Sequence, residues 1–367
     1  MKNKKLINIL GFNNFKVINK SNKKLFFNLN EIKKYLYKYQ LDSFYLMKFL
    51  SKKLRSKLNI LYEIKKPKIL KENFSFDGTI KWLFKMKLNN IIETIFIPEK
   101  NRRTLCVSSQ IGCPIKCPFC ITGSKGFYKN LKTEDIIDQI WFANKILRKY
   151  IIKDSKKIFF KKNFSNLITN IVVMGMGEPL LNYKHLLNAL LIINDKNLYA
   201  ISMRRITVST SGIVPMINRL SIDLPVCLAV SLHATNDILR NILVPINRKY
   251  SLNKLIKSCK KYIKNSKKEI IMFEYVMLRN INDFDTNIME IINIINSINC
   301  KINIIPFNIF EDSIFNCSSK YIIKKFEKFF KKYHVKFTIR KTRGLDINAA
   351  CGQLSGKVKS NIKNFNI

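Results

Sequence analysis

The chain has no long apolar run. No stretch of about 18 uninterrupted apolar side chains occurs in its 367 residues, so no membrane-spanning helix is expected. Nor does the start read as a secretory leader. Residues 1–11 are Lys-rich, with a short, interrupted apolar stretch and no small-residue cleavage site, which makes a cytoplasmic location the default. Acidic residues are scarce: 24 Asp and Glu stand against 67 Lys and Arg, a formal net charge of +43. A field of that sign draws polyanions, and RNA is the natural partner. The chain is also heavy in Asn and Ile, so general compositional drift competes as an explanation for part of the charge. Histidine is limited to three residues, and His185 and His334 fall in helical text with no assigned role. The nine cysteines are an odd number, with four in residues 106–120 and Cys351 alone near the end. That distribution excludes a secreted disulfide framework. Cys227, Cys259, Cys300 and Cys317 carry no motif and read as buried inert thiols.

What is present is one loop of distinctive chemistry. Gly112-Cys113-Pro114-Ile115-Lys116-Cys117-Pro118-Phe119-Cys120 sets three thiols at a Cys-x3-Cys-x2-Cys spacing, with no fourth close by. A cubane iron–sulfur cluster normally takes four thiolates, so three leave one iron open to a ligand. A distant fourth thiol, Cys106 or Cys351, would instead allow a structural zinc site. The spacing resembles the signature of radical S-adenosylmethionine (SAM) enzymes. That resemblance implies one 4Fe–4S cluster on Cys113, Cys117 and Cys120, with SAM chelated by the open iron. It also implies that an electron from the cluster breaks the sulfonium bond to give a 5′-deoxyadenosyl radical.

Residues 30–62 read as helices. Leu29, Ile32, Leu36, Leu41, Phe44, Leu46, Phe49 and Leu50 recur at near-helical intervals, and Asn30 and Ser51 are plausible N-caps. Residues 79–86 and 91–97 look like two strands, with a turn at Lys87-Leu88-Asn89-Asn90. From residue 103 strands and helices alternate, which argues for parallel βαβ units. Strands are expected near 104–108, 168–174, 204–208, 225–230, 270–276, 301–305 and 335–340. Helices are expected at 133–149, 184–194, 214–220, 236–241, 251–264, 285–297 and 319–333. The expected fold class is α/β, a partial (β/α)6-type radical SAM barrel over residues 103–356. A small basic helical domain (1–75) and a β-hairpin extension (76–102) precede it, and a basic tail (357–367) follows.

The expected strands share polar C-terminal ends. They lead into the Cys loop, into Met174-Gly175-Met176-Gly177-Glu178-Pro179, into Ser209-Thr210-Ser211-Gly212, into Ser231-Leu232-His233 and into Pro306-Phe307-Asn308. Strand C-termini converge on one face of such a barrel, and catalytic groups collect there. The Gly-rich element resembles the GGEP-type SAM-binding element of the superfamily, with Glu178 able to accept from the SAM ammonium. Ser209 and Ser231 suit ribose or carboxylate oxygens, or helix caps. His233 sits at a strand end, Asn308 offers a donor and an acceptor to an adenine edge, and Phe119 can exclude water.

Four segments carry a closer resemblance: residues 106–113, 173–182, 208–212 and Ala349-Ala350-Cys351-Gly352-Gln353-Leu354. Together they look like the RlmN family of dual-specificity RNA methyltransferases, over roughly residues 75–356. The resemblance implies methylation of C2 of adenine 2503 in 23S rRNA and of adenine 37 in tRNA, using two SAM per turnover. It implies that Cys351 is methylated first and that its methyl loses a hydrogen atom to the radical. The resulting carbon radical adds to C2, Glu93 removes the C2 proton, and Cys106 attacks the Cys351 sulfur to form a transient disulfide and free the product. It implies SAM contacts at Gly177, Glu178, Ser209, Ser231, Leu232, His233 and Asn308. An electron donor such as flavodoxin, a monomeric state and no membrane association follow from the same resemblance. Two alternatives stay open at this point: the C8-methylating relative with the same thiol logic, and a non-catalytic, zinc-stabilised RNA-binding protein.

Overall fold

The computed structural model describes residues 7–8, 10, 31–64, 68–86, 90–153, 167–266, 270–311 and 313–355. The expected N-cap at Asn30, the helical position Leu29, most of the turn at 87–90 and the tail at 357–367 lie outside the described residues.

Ten strands form one sheet whose order follows the chain. They are β1 (Lys68–Phe74), β2 (Ile80–Lys85), β3 (Ile91–Pro98), β4 (Arg103–Cys106), β5 (Asn170–Val173), β6 (Ile206–Thr210), β7 (Cys227–Ser231), β8 (Ile271–Met277), β9 (Cys300–Pro306) and β10 (Phe337–Ile339). Neighbours from β1 to β4 are antiparallel, and those from β4 to β10 are parallel. The parallel strands are the apolar, β-branched runs read from the sequence, such as Asn170-Ile171-Val172-Val173, and a strand covered on both faces needs that composition. The fold is the expected α/β partial barrel, with three additions, the first a two-residue parallel pair, Ile7–Asn8 with Tyr62–Glu63, where helix was expected to run to residue 62. β1 precedes the expected hairpin and makes it a three-stranded meander. A short antiparallel ribbon, Gln110–Gly112 with Phe127–Asn130, brackets the Cys loop. Gly112 is required there: its φ is +72°, and a Cβ would fall 1.9 Å from the Gly126 carbonyl oxygen.

The main helices are α1 (Lys52–Leu61), α2 (Thr133–Lys153), α3 (Tyr183–Asn194), α4 (Val214–Asp223), α5 (Asp237–Leu243), α6 (Leu252–Ser266), α7 (Asp285–Asn296) and α8 (Lys320–Lys332). Their starts follow local chemistry. Ser51, Asn236 and Ser319 each accept a backbone N–H in the first turn, and α2 opens with Glu134 and Asp135 at its positive end. The N-terminal helical segment docks on α2. Trp141 donates its indole N–H to the Leu36 carbonyl, and Arg148 reaches Gln40 and the Lys38 carbonyl. Its apolar residues Leu36, Phe44 and Leu58 join the same core as the barrel.

The chain beyond β10 reaches back to the other end of the sheet. After β10, the chain returns along the β1–β2 turn. There the Gly344 N–H donates to Asp77, and Asp346 accepts from the Ser75 hydroxyl and the Phe76 N–H. This return brings the loop that carries Cys351 over the C-terminal mouth of the parallel strands.

Candidate active site

One cavity lies at that mouth, and all seven parallel strands reach it at or near their C-terminal ends, through Cys106, Met174, Ser209, Ser231, Val276, Asn308 and Arg340. Its wall includes Cys113, Cys117, Cys120, Cys106 and Cys351 together. It also includes Gly177, Glu178, Ser209, Ser231, His233 and Asn308. Two of the expected site residues are not in the wall. Leu232 is in the core, where its N–H donates to the Glu274 carbonyl and its own carbonyl accepts from Arg240. Glu93 is buried on β3, one pleat from Ile95, and Ile95 does line the cavity.

The Gly-rich loop after β5 is locked against β4. Met176 receives Ser109 and Gln110 N–H donors at 2.9 and 3.1 Å, and the Glu178 N–H donates to the Gln110 side chain at 2.8 Å. Gly177 has φ +101°, and a Cβ there would lie 2.5 Å from Cβ of Gln110. Glu178 is more heavily engaged than its expected role suggests. One carboxylate oxygen accepts from Leu180 N–H and the Thr210 hydroxyl, at 3.0 and 2.8 Å. The other accepts from Ser211 N–H and the Ser211 hydroxyl, both at 2.7 Å. A carboxylate offers about four lone-pair sites, so a ligand ammonium at Glu178 has to share or displace a protein donor. Burial raises its pKa, and the four donors oppose the rise.

His233 has a left-handed backbone, φ +55°, and its ring meets Phe119 edge-on at 4.9 Å. Its Nδ1 accepts the Val276 N–H at 3.1 Å, which leaves the proton on Nε2 as a donor. Burial first, and then the nearby Arg240 cation, push its pKa down to about 3, so the ring is neutral. Asn308 spends its amide on the chain itself: it donates to the Cys351 carbonyl at 3.2 Å and accepts from the Thr342 hydroxyl at 3.1 Å.

Three charged residues complete the site and carry no motif. Arg240 is fully buried and donates to the carbonyls of Ser211, Ser231 and Leu232 and to Asn247, which ties the ends of β6 and β7 together. Glu274 on β8 accepts the Ser209 hydroxyl at 2.9 Å and lies 3.6 Å from Arg340. Arg340 also lies close enough to Cys351 that the field of a Cys351 thiolate raises its pKa. Burial raises the Cys351 thiol while Arg340 opposes that rise. Cys106 is pushed up to about 12, mostly by burial and then by negative charge on Cys351. The two distant thiols therefore sense each other, and Cys106 rests as a neutral thiol.

The donor set fits an iron–sulfur cluster. Burial drives Cys113 up to about 12 and Cys117 well above its ordinary value, so neither ionises without a cation at the site. A bound metal centre reverses that balance, since a coordinating thiol is deprotonated outright. Among the described residues, no group of three or more His, Cys, Asp or Glu side chains is arranged to hold a metal ion. Cys113, Cys117 and Cys120, which share the cavity wall, are the residues that could hold such a cluster.

Residues 160–292 match the family model described as the radical SAM superfamily. Among solved structures, a radical SAM methyltransferase from Sphaerobacter thermophilus is similar with a TM-score of 0.82 and 35% identity, over 90% of this chain and 93% of that one. Fold and site together define a radical SAM methyltransferase. Two curated relatives carry the name dual-specificity RNA methyltransferase RlmN. The one from Buchnera aphidicola subsp. Schizaphis graminum is 49% identical over 91% of this chain and 89% of its own. The one from Wigglesworthia glossinidia brevipalpis is 48% identical over 93% and 87%. The chain belongs to the RlmN family.

Proposed function

We propose that this protein methylates C2 of adenine in 23S rRNA and tRNA, at the positions named above, through a carbon carried on Cys351. The observation that carries this reading is the shared cavity: two thiols far apart in the chain face the same space as the cluster triad. A cluster held by Cys113, Cys117 and Cys120 would supply the single electron that breaks a SAM sulfonium bond.

The chain's own residues do the rest. Glu178, held by Ser211 and Thr210, fixes the Gly-rich loop against β6. Neutral His233 offers Nε2–H, and Ser231 a hydroxyl, to SAM oxygens or ring nitrogens along the wall. Arg340 stabilises charge on Cys351 as its sulfur attacks the SAM methyl group, and Glu274 holds the guanidinium in place. Glu93 takes the C2 proton. Cys106 then gives up its proton and attacks the Cys351 sulfur: the S–S bond forms, the sulfur–carbon bond breaks with its electron pair on the carbon, and one proton taken up there completes the methyl group of the free product. The net charge of +43 draws RNA to the mouth, and an electron donor of the flavodoxin type supplies the reductant. The target base leaves its stack to reach the cavity.

The test is anaerobic reconstitution with iron and sulfide, followed by reaction with SAM, reductant and ribosomal or transfer RNA. Digestion and mass mapping are expected to give 2-methyladenine at the named positions. A product of 8-methyladenine alone, or a colourless zinc protein that binds RNA without modifying it, would overturn the reading.

A further inference from the structure

Lys81 is the second residue of an otherwise apolar strand stretch, Ile80-Lys81-Trp82-Leu83-Phe84, and is 7% exposed. A lysine in that setting is costly unless it is paired. In the antiparallel register of β2 and β3, Lys81 faces Ile95 and Leu83 faces Glu93, so Lys81 and Glu93 are diagonal neighbours on one face. The Lys81 ammonium lies 3.3 Å from a carboxylate oxygen of Glu93, itself 1% exposed. The same ammonium donates to the Asn348 carbonyl at 2.9 Å. The other Glu93 oxygen accepts the Ser355 N–H at 3.0 Å. Asn348 and Ser355 flank Cys351 on its two sides. One buried ion pair therefore grips both ends of the loop that carries the reactive sulfur. Two residues further along the same face, Ile95 lines the cavity and pairs with Cys106.

We propose that Lys81 is a positioning residue: it fixes the Glu93 carboxylate against the Cys351 loop, so that proton acceptor and carbon carrier meet the RNA base as one unit. The inference rests on the reading of Glu93 as the acceptor at adenine C2. In that step the C2–H bond breaks, the proton passes to a Glu93 oxygen, the bonding pair stays on the ring, and the single unpaired electron of the radical adduct leaves to a one-electron acceptor such as an oxidised iron–sulfur centre. Lys81 keeps its own proton throughout. A lysine that served packing alone would affect folding or overall rate, with no bearing on which step limits turnover.

RNA deuterated at adenine C2 reports the proton transfer by itself. With the reconstituted full-length enzyme, wild type is expected to form 2-methyladenine at nearly the same rate from labelled and unlabelled RNA. Lys81→Gln is expected to lose roughly tenfold to a hundredfold in rate, the scale of a misplaced catalytic group. It should also show a clear additional slowing with the deuterated substrate. Lys81→Arg, which keeps the charge and moves the donor, should fall between the two. A slow Lys81→Gln enzyme whose isotope effect stays at the wild-type value would mean a structural role and overturn the proposal. So would a variant with wild-type rate. If Lys81→Gln does not fold, Lys81→Arg carries the same comparison, and an unchanged isotope effect in it overturns the proposal. Wild-type enzyme that makes no 2-methyladenine would sink the parent reading and the proposal with it, and that outcome is visible before any variant is made.

Discussion

Two sets of thiols reach the same cavity by different routes. Cys113, Cys117 and Cys120 come from one short loop closed by a two-stranded ribbon. Cys106 ends the first parallel strand and Cys351 sits on the loop beyond the last, and they share one cavity because that loop is tied back to the β1–β2 turn through Asp77 and Asp346. The local set needs a loop to exist. The distant set needs the whole fold. In the proposed chemistry the two sets also divide the labour, one holding the cluster and the other handling carbon.

The sharpest way to break that comparison is to remove one thiol from each set. Cys117→Ala should lose iron and, with it, all SAM cleavage. Cys351→Ala should keep its iron and still cleave SAM, while RNA methylation falls by at least about a thousandfold. Iron analysis and product mapping check both, and loss of iron from Cys351→Ala would merge the two sets into one. Cys106→Ala should retain carbon transfer and accumulate protein covalently bound to RNA, seen as a shifted band on a denaturing gel; free turnover by this variant would remove its releasing role.

The scaffold between the two sets gives smaller effects. Glu178→Gln replaces a four-fold acceptor with a side chain whose amide N–H groups face donors at Ser211 or Leu180. Unfolding free energy should fall by about 2–4 kcal/mol, measured by urea denaturation of the apoprotein. His233 tests the electrostatics of the wall. Its folded pKa is about 3 against an ordinary 6.5, so between those values the unfolded chain binds the extra proton. The stability linked to the neutral ring is present above pH 6.5 and is lost as pH falls toward 3. In His233→Gln the slope of stability against pH in that window should flatten by up to about 1.4 kcal/mol per unit. Least of all, Ser51→Ala removes the α1 cap and should cost about 1 kcal/mol, with both thiol sets unaffected in iron content and product.

Much of this molecule was legible in its sequence, for a physical reason in each case. The parallel strands are short β-branched runs bounded by polar ends, and the triad is a local spacing. β1 was missed because Lys68–Phe74 is an edge strand with half-exposed side chains and no apolar alternation. Lys81, Glu274 and Arg240 were missed because their partners come from cross-strand register and strand ends, which no local window contains. A signal was nevertheless there. Ile271-Met272-Phe273-Glu274-Tyr275, like the strand around Lys81, sets one charge inside an apolar run, and such a charge demands a partner. The occupancy of Glu178 by four protein donors was not readable at all, since Thr210 and Ser211 lie on a different strand end.

Strand order that follows the chain has a consequence for how the protein is made. Each strand can add to its finished neighbour as synthesis proceeds, from β1 to β10. The triad loop emerges early, whereas the segment with Cys351 emerges near the end and has to reach back to residues 75–77 to seat itself. During synthesis the Cys351 segment is therefore the last part of the cavity wall to be made, set as a lid over a mouth whose other walls precede it in the chain.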